Sequence, residues 1–109
     1  PEQRHLAQRV IDEMNPVSLR SAGAALDNRA KMPGERIAAI TAPTLILHAV
    51  DDGLQLFHNA EFAAKTIPNA RLVRFETGGH FIIGTEQAAI RAAVADHILE
   101  FGVRVKTDR

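Results

Sequence analysis

The sequence predicts a mixed α/β fold: a short parallel β-sheet with two main strands, flanked by helices and preceded by a helical N-terminal segment. Three observations predict it. Apolar residues recur at three- and four-residue spacing near both ends of the chain, over residues 6–14 and 90–101. Between them, residues 44–50 form a nearly continuous apolar run, and residues 71–75 a second, shorter one. A helix-sized interval separates these two runs, which gives the order strand, helix, strand, helix of a βαβ unit with a covering helix.

The elements follow in order. Leu6, Val10, Ile11 and Met14 share one helical face and predict a helix over residues 3–14. Asn15-Pro16 reads as a cap and first-turn proline opening a second helix over residues 16–31, with Leu19, Ala22, Ala25 and Leu26 as its buried stripe. Met32-Pro33-Gly34 breaks that helix, and residues 35–40 make a short helical turn with Ile37 and Ile40 on one side. After Pro43 the pattern changes. Residues 44–50, bounded by proline and by Asp51-Asp52-Gly53, read as a strand buried on both faces of a parallel sheet. Residues 58–67 are helical, with Phe62, Ala63 and Ile67 inward, and Pro68-Asn69 ends them. A second strand over 71–75 leads into the loop Thr77-Gly78-Gly79-His80. Thr85 is the expected N-cap of a last helix whose stripe is Ile90, Ala93, Val94, His97, Ile98 and Phe101. The change near Pro43 divides the chain into a helical segment, 1–34, and an α/β segment, 35–109.

Length and composition narrow the function. A chain of 109 residues holds one domain. Its 13 basic and 13 acidic residues cancel and are scattered, so the field that nucleic acid or an anionic membrane would require is absent in bulk. The basic tail Arg104, Lys106, Arg109 reads as a solvated end. With no cysteine, disulfides and thiolate metal sites are excluded. No apolar run reaches the roughly 20 residues that span a bilayer. Pro1-Glu2-Gln3-Arg4-His5 lacks the pattern of a signal peptide, so a cytoplasmic location is expected; the missing initiator methionine points to processing or truncation. Without tryptophan or tyrosine, the core is built from Leu, Ile, Val and Ala.

Two parallel strands are few for a stable buried sheet, and each leaves an edge of unpaired backbone groups. The chain therefore reads as part of something larger, or as one that completes its sheet by self-association or by pairing with a missing N-terminal portion.

In open α/β sheets, ligand-handling residues occupy the loops after the carboxyl ends of the strands. Here those loops are Asp51-Asp52-Gly53 and Gly78-Gly79-His80. Two adjacent parallel strands thus deliver a carboxylate and an imidazole to one end of the sheet. An acid that holds a histidine ring is the orienting half of a nucleophilic relay. Read alone, Asp52 before glycine is an ordinary turn residue; His80 after the next strand makes the pair a candidate catalytic acid and base.

These residues carry a family resemblance. Ile37 to Ile40, Pro43, the strand from Thr44 to His48, Ala49-Val50-Asp51-Asp52, the helix up to Ile67, Pro68-Asn69-Ala70, the strand Arg71 to Phe75, Gly79-His80 and the final helix follow the pattern of the last third of the α/β-hydrolase family. The resemblance implies a partial α/β-hydrolase fold in which Asp52 is the acid and His80 the base. It covers residues 35–101, while 1–34 more loosely resemble the end of a cap or lid region. Ala49 stands where the family usually has glycine. The family's Gly-x-Ser-x-Gly elbow is not in these 109 residues: Ser18 and Ser21 are the only serines, and neither has the flanking glycines or a preceding strand. The family's oxyanion-hole segment is not recognisable either.

The remaining polar groups read as structural. Asp51 is expected to be a solvated turn carboxylate, His48 a core group or a neighbour of the site, His58 exposed, His97 a packing residue and His5 terminal. A metal site is not expected, because no His-x-x-x-His or similar spacing occurs. Gly78-Gly79 lacks the Lys-Ser/Thr context of a phosphate loop. The resemblance implies an esterase- or lipase-like hydrolase acting on a small ester or related bond, with no cofactor. The alternative expectation is a non-catalytic module that associates through its sheet edges.

Overall fold

A computed structural model describes residues 2–102, and the basic tail Arg104, Lys106, Arg109 lies outside them. Its contacts divide the chain into two units, 1–34 and 35–109.

In the first unit, α1 (Glu2–Met14) is followed by a 3-10 turn (Val17–Leu19) and α2 (Ser21–Arg29). Helix α1 runs where the apolar spacing places it. Its exposed face carries a hydrogen bond from Gln8 to Asp12 (2.8 Å) and a loose Arg9–Glu13 pair (3.9 Å), both four residues apart. The single helix expected over residues 16–31 is broken in two. Pro16, after a cis peptide bond, is extended (φ −78°, ψ 125°) and precedes the 3-10 turn rather than opening a helix. The stripe Leu19, Ala22, Ala25, Leu26 is exposed rather than buried, Leu19 at 81 %. Helical spacing reports which residues share a face; burial also needs a surface to pack against.

The second unit opens with a 3-10 segment (Gly34–Ala39) and continues as β1 (Thr44–Ala49), α3 (Phe57–Thr66), β2 (Ala70–Phe75), a 3-10 turn (Gly79–Phe81), α4 (Ile82–Thr85) and α5 (Gln87–Phe101). Strands β1 and β2 are parallel, with Thr44 opposite Ala70 and Ala49 opposite Phe75. The ladder is closed at its ends by Thr44 N–H to Asn69 O (2.9 Å) and Val50 N–H to Phe75 O (2.8 Å). The unit is thus mixed α/β, a two-stranded parallel sheet flanked by helices.

Helix α3 packs on both strands. It buries Ala60 and, just past its end, Ile67, with Ala63 and Ala64 half-buried between them. These positions make one stripe at the i, i+3, i+4, i+7 spacing of a helix lying on a sheet. Phe62, expected inward, is exposed. Ile67 is extended because the residue before a proline disfavours the helical region. At the other end of α3, the Phe57 ring meets the edge of His48 (5.7 Å between centroids) and lies under the Arg74 guanidinium (5.6 Å). His48 and Arg74 are register partners, so Phe57 closes the sheet end that leads to the site.

Strand β1 is half-buried along most of its length, with Ala49 alone fully buried, instead of covered on both faces as its apolar run suggests. The core is small: Ala49, Ala60, Ile67, Ile82 and Ala93. Thr85 does not cap the last helix. It ends α4, its hydroxyl is buried with no hydrogen-bond partner among the described residues, and Glu86 is the cap residue of α5. Along α5 only Ala93 of the expected stripe is buried; Val94, Ile98 and Phe101 are exposed. His97 Nε2 lies 3.2 Å from the Pro43 carbonyl and its ring lies against Phe101.

No described helix is long and apolar enough to cross a membrane.

Candidate functional site

The parallel register places the two sequence-predicted loops at one end of the sheet, where Asp52 follows β1 and His80 follows β2. The two side chains meet. His80 Nδ1 is 3.0 Å from Asp52 Oδ2, across 28 residues of sequence.

Asp52 is the only buried polar or charged residue among those described, at 7 % exposure. Each of its oxygens is used. Oδ1 accepts from the backbone N–H of Leu54 (2.9 Å) and of Gln55 (3.0 Å), and Oδ2 faces His80. Removal from water pushes the carboxyl up, and this is outweighed by the Gln55 N–H, the His80 ring and the Leu54 N–H, which bring it down from 3.8 to about 2. Asp52 is therefore a carboxylate at neutral pH, an acceptor only, and the His80 nitrogen facing it carries the proton. In the neutral imidazole this leaves the lone pair on Nε2. That nitrogen has no hydrogen-bond partner among the described residues, and the His80 side chain is 44 % exposed. The ring is held at one nitrogen and open at the other.

His48, at the end of β1, takes the neighbouring role open to it in the sequence reading. Its Nε2–H donates to the Gln55 carbonyl (2.7 Å), and the same nitrogen lies 3.5 Å from Asp52 Oδ2. The turn 52–55 is thus pinned from both sides: Asp52 takes the Gln55 amide, and His48 takes the Gln55 carbonyl.

Asp51 is exposed in its turn, as expected, and it also reaches the opposite loop, where it accepts from Gly79 N–H (2.8 Å, Oδ1) and Gly78 N–H (3.3 Å, Oδ2). Sequence reasoning missed this role. The signal that could have found it was the neighbouring Asp pair facing a neighbouring Gly pair across the same sheet end. Gly78 (φ 121°) and Gly79 (φ 59°) both have the left-handed backbone that glycine permits. At Gly78 a Cβ would also lie 2.8 Å from Ile82 Cγ2 and 3.1 Å from Thr85 Oγ1.

A cavity of about 230 Å³ adjoins the pair, lined in part by His48, Asp52, Gln55, Gly79, His80 and Ile82. Larger grooves lie away from this chemistry, one of about 470 Å³ along α5 and one of about 450 Å³ at the start of the strands. The pair is the better marker of a site, because it joins a buried charge to an exposed titratable ring.

Ser18 lies in the 3-10 turn before α2 and Ser21 begins α2, where its hydroxyl donates to the Ser18 carbonyl (3.0 Å). His58 is exposed on α3 and His5 on α1. Among the described residues no group of three or more His, Cys, Asp or Glu side chains is arranged to hold a metal ion.

Comparison of the chain with protein-family models and with curated proteins returns no match.

Proposed function

We propose that this chain supplies the acid–base half of an α/β-hydrolase-type relay, with Asp52 as the orienting acid and His80 as the general base. The observation that carries the reading is the 3.0 Å contact between His80 Nδ1 and Asp52 Oδ2 at the carboxyl ends of adjacent parallel strands, with His80 Nε2 left open. In this scheme a serine hydroxyl outside residues 1–109 gives its proton to His80 Nε2 as its oxygen attacks the carbonyl carbon of an ester or related bond. Asp52 stabilises the imidazolium that forms. The proton then passes to the departing alkoxide, and water completes the cycle through the same nitrogen. No cofactor is required.

The test uses the complete translated product that contains these residues, treated with a fluorophosphonate. The expected outcome is covalent labelling of one serine, lost in His80→Ala and strongly slowed in Asp52→Asn. Labelling that persists in folded His80→Ala would sink the proposal.

A second reading rests on a different observation: within the described residues the sheet has two strands, so the outer edges of β1 and β2 are both unpaired. Such edges are templates for pairing with another chain. A non-catalytic module of this kind would associate on concentration in a dilution series followed by sedimentation, and would leave the fluorophosphonate unreacted.

A further inference from the structure

We propose that Asp51 is a positioning residue of the site: by holding the Gly78-Gly79 backbone it sets the His80 ring on Asp52. The inference rests on the acid–base reading of Asp52 and His80 and adds to it a second carboxylate with a separate task.

The geometry divides the work between neighbouring residues. Asp52 is filled by its own turn and by the His80 ring. Asp51 makes no bond within that turn; both of its oxygens cross to the loop after β2, to Gly79 N–H at 2.8 Å and Gly78 N–H at 3.3 Å. The two successive amides donate to one carboxylate, an arrangement suited to a negative group. Gly79 immediately precedes His80, so fixing its nitrogen leaves few backbone rotations between the anchor and the imidazole.

The ring needs such an anchor. It is almost half exposed, and besides Asp52 it meets the Phe81 ring in a T-shaped contact, 6.0 Å between centroids. A single hydrogen bond to an exposed ring allows tilt and exchange between rotamers, and a misplacement of about 1 Å in such a base can cost about a hundredfold in rate. Two adjacent charge-assisted bonds to the backbone limit that movement at its source.

Nitrogen-15 NMR of the complete translated product that contains these residues, labelled at histidine and glycine, tests this at the ring itself. In the parent protein the His80 ring should show one dominant tautomer, with the proton on Nδ1. Asp51→Ala should mix the tautomers or broaden the Nδ1 proton, and should speed exchange of the Gly78 and Gly79 amides by about tenfold, the size of one lost hydrogen bond to a charged group. Asp51→Asn keeps one acceptor oxygen and should fall between the two. If Asp51→Ala disturbs the β1–β2 amides, Asp51→Asn decides by the same signals.

Faster Gly78 and Gly79 exchange with an unchanged His80 ring would overturn the proposal, because Asp51 would then steady the loop without placing the base. Asp52→Asn separates the two ideas. If it leaves the His80 nitrogens unmoved, the Asp52–His80 reading itself fails. If it moves them while neither Asp51 variant does, only the role of Asp51 fails.

Discussion

The two units of the chain differ in what holds their side chains. Helices α1 and α2 and the turn between them contain no buried residue. Their local order rests on backbone bonds and on pairs four residues apart, each worth a few tenths of a kcal/mol. The α/β unit contains every buried residue described, Asp52 included. Similar apolar periodicity therefore has different outcomes: the α3 stripe, packed on both strands, is buried or half-buried, whereas the α2 stripe is exposed. Helical pattern alone does not distinguish them.

Substitution can break or sharpen that contrast. The largest effect is expected at Ile67, 7 % exposed at the end of α3. Ile67→Ala should cost about 2–4 kcal/mol in urea unfolding, the usual range for emptying a packed aliphatic site. A loss below about 1 kcal/mol would mean that this core is too loose to count as one.

Gly78→Ala comes next. The added methyl meets Ile82 and Thr85, and the φ of 121° is one that alanine adopts only under strain. About 1–3 kcal/mol should be lost, read as a lower thermal midpoint. An unchanged midpoint would show that the loop before His80 accepts another backbone path.

The third expectation concerns acid. Asp52 has its carboxyl lowered in the fold from 3.8 to about 2. Its stabilising contribution is therefore fully present above the unfolded value and is lost as pH falls through the folded one. Urea midpoints measured from pH 5 downward should drop between pH 4 and 2 in the parent and change less in Asp52→Asn. Identical acid profiles would show that the carboxylate is not held as described.

The smallest effect belongs to the first unit. Leu19, 81 % exposed, should tolerate alanine within about 0.5 kcal/mol. A larger loss would show that its side chain is covered by something in solution.

The legible parts of the molecule are those governed by local rules. Proline at 43 and 68 and the Asp-Asp-Gly turn bound the β1–α3–β2 segment closely, and strand-end loops told where Asp52 and His80 would meet. Three features were not legible. The break at residues 16–20 depends on the backbone around Pro16, which a helical pattern does not encode. Thr85 has the chemistry of an N-cap, yet it falls at the end of a single-turn helix, α4, that buries Ile82. The crossing made by Asp51 depends on the distance between two loops, a tertiary quantity that no spacing within either loop contains.

The separation of 28 residues between Asp52 and His80 also bears on how the protein folds. A parallel strand pair cannot form by local zippering. The segment with α3 must first close into a loop, and the entropy of closure is lost before any ladder bond compensates it. No partly folded state limited to short-range contacts can bring this carboxylate to this imidazole. Formation of the pair is thus a non-local event, and a probe of the His80 ring in a refolding experiment would report the β1–α3–β2 closure rather than the appearance of helix.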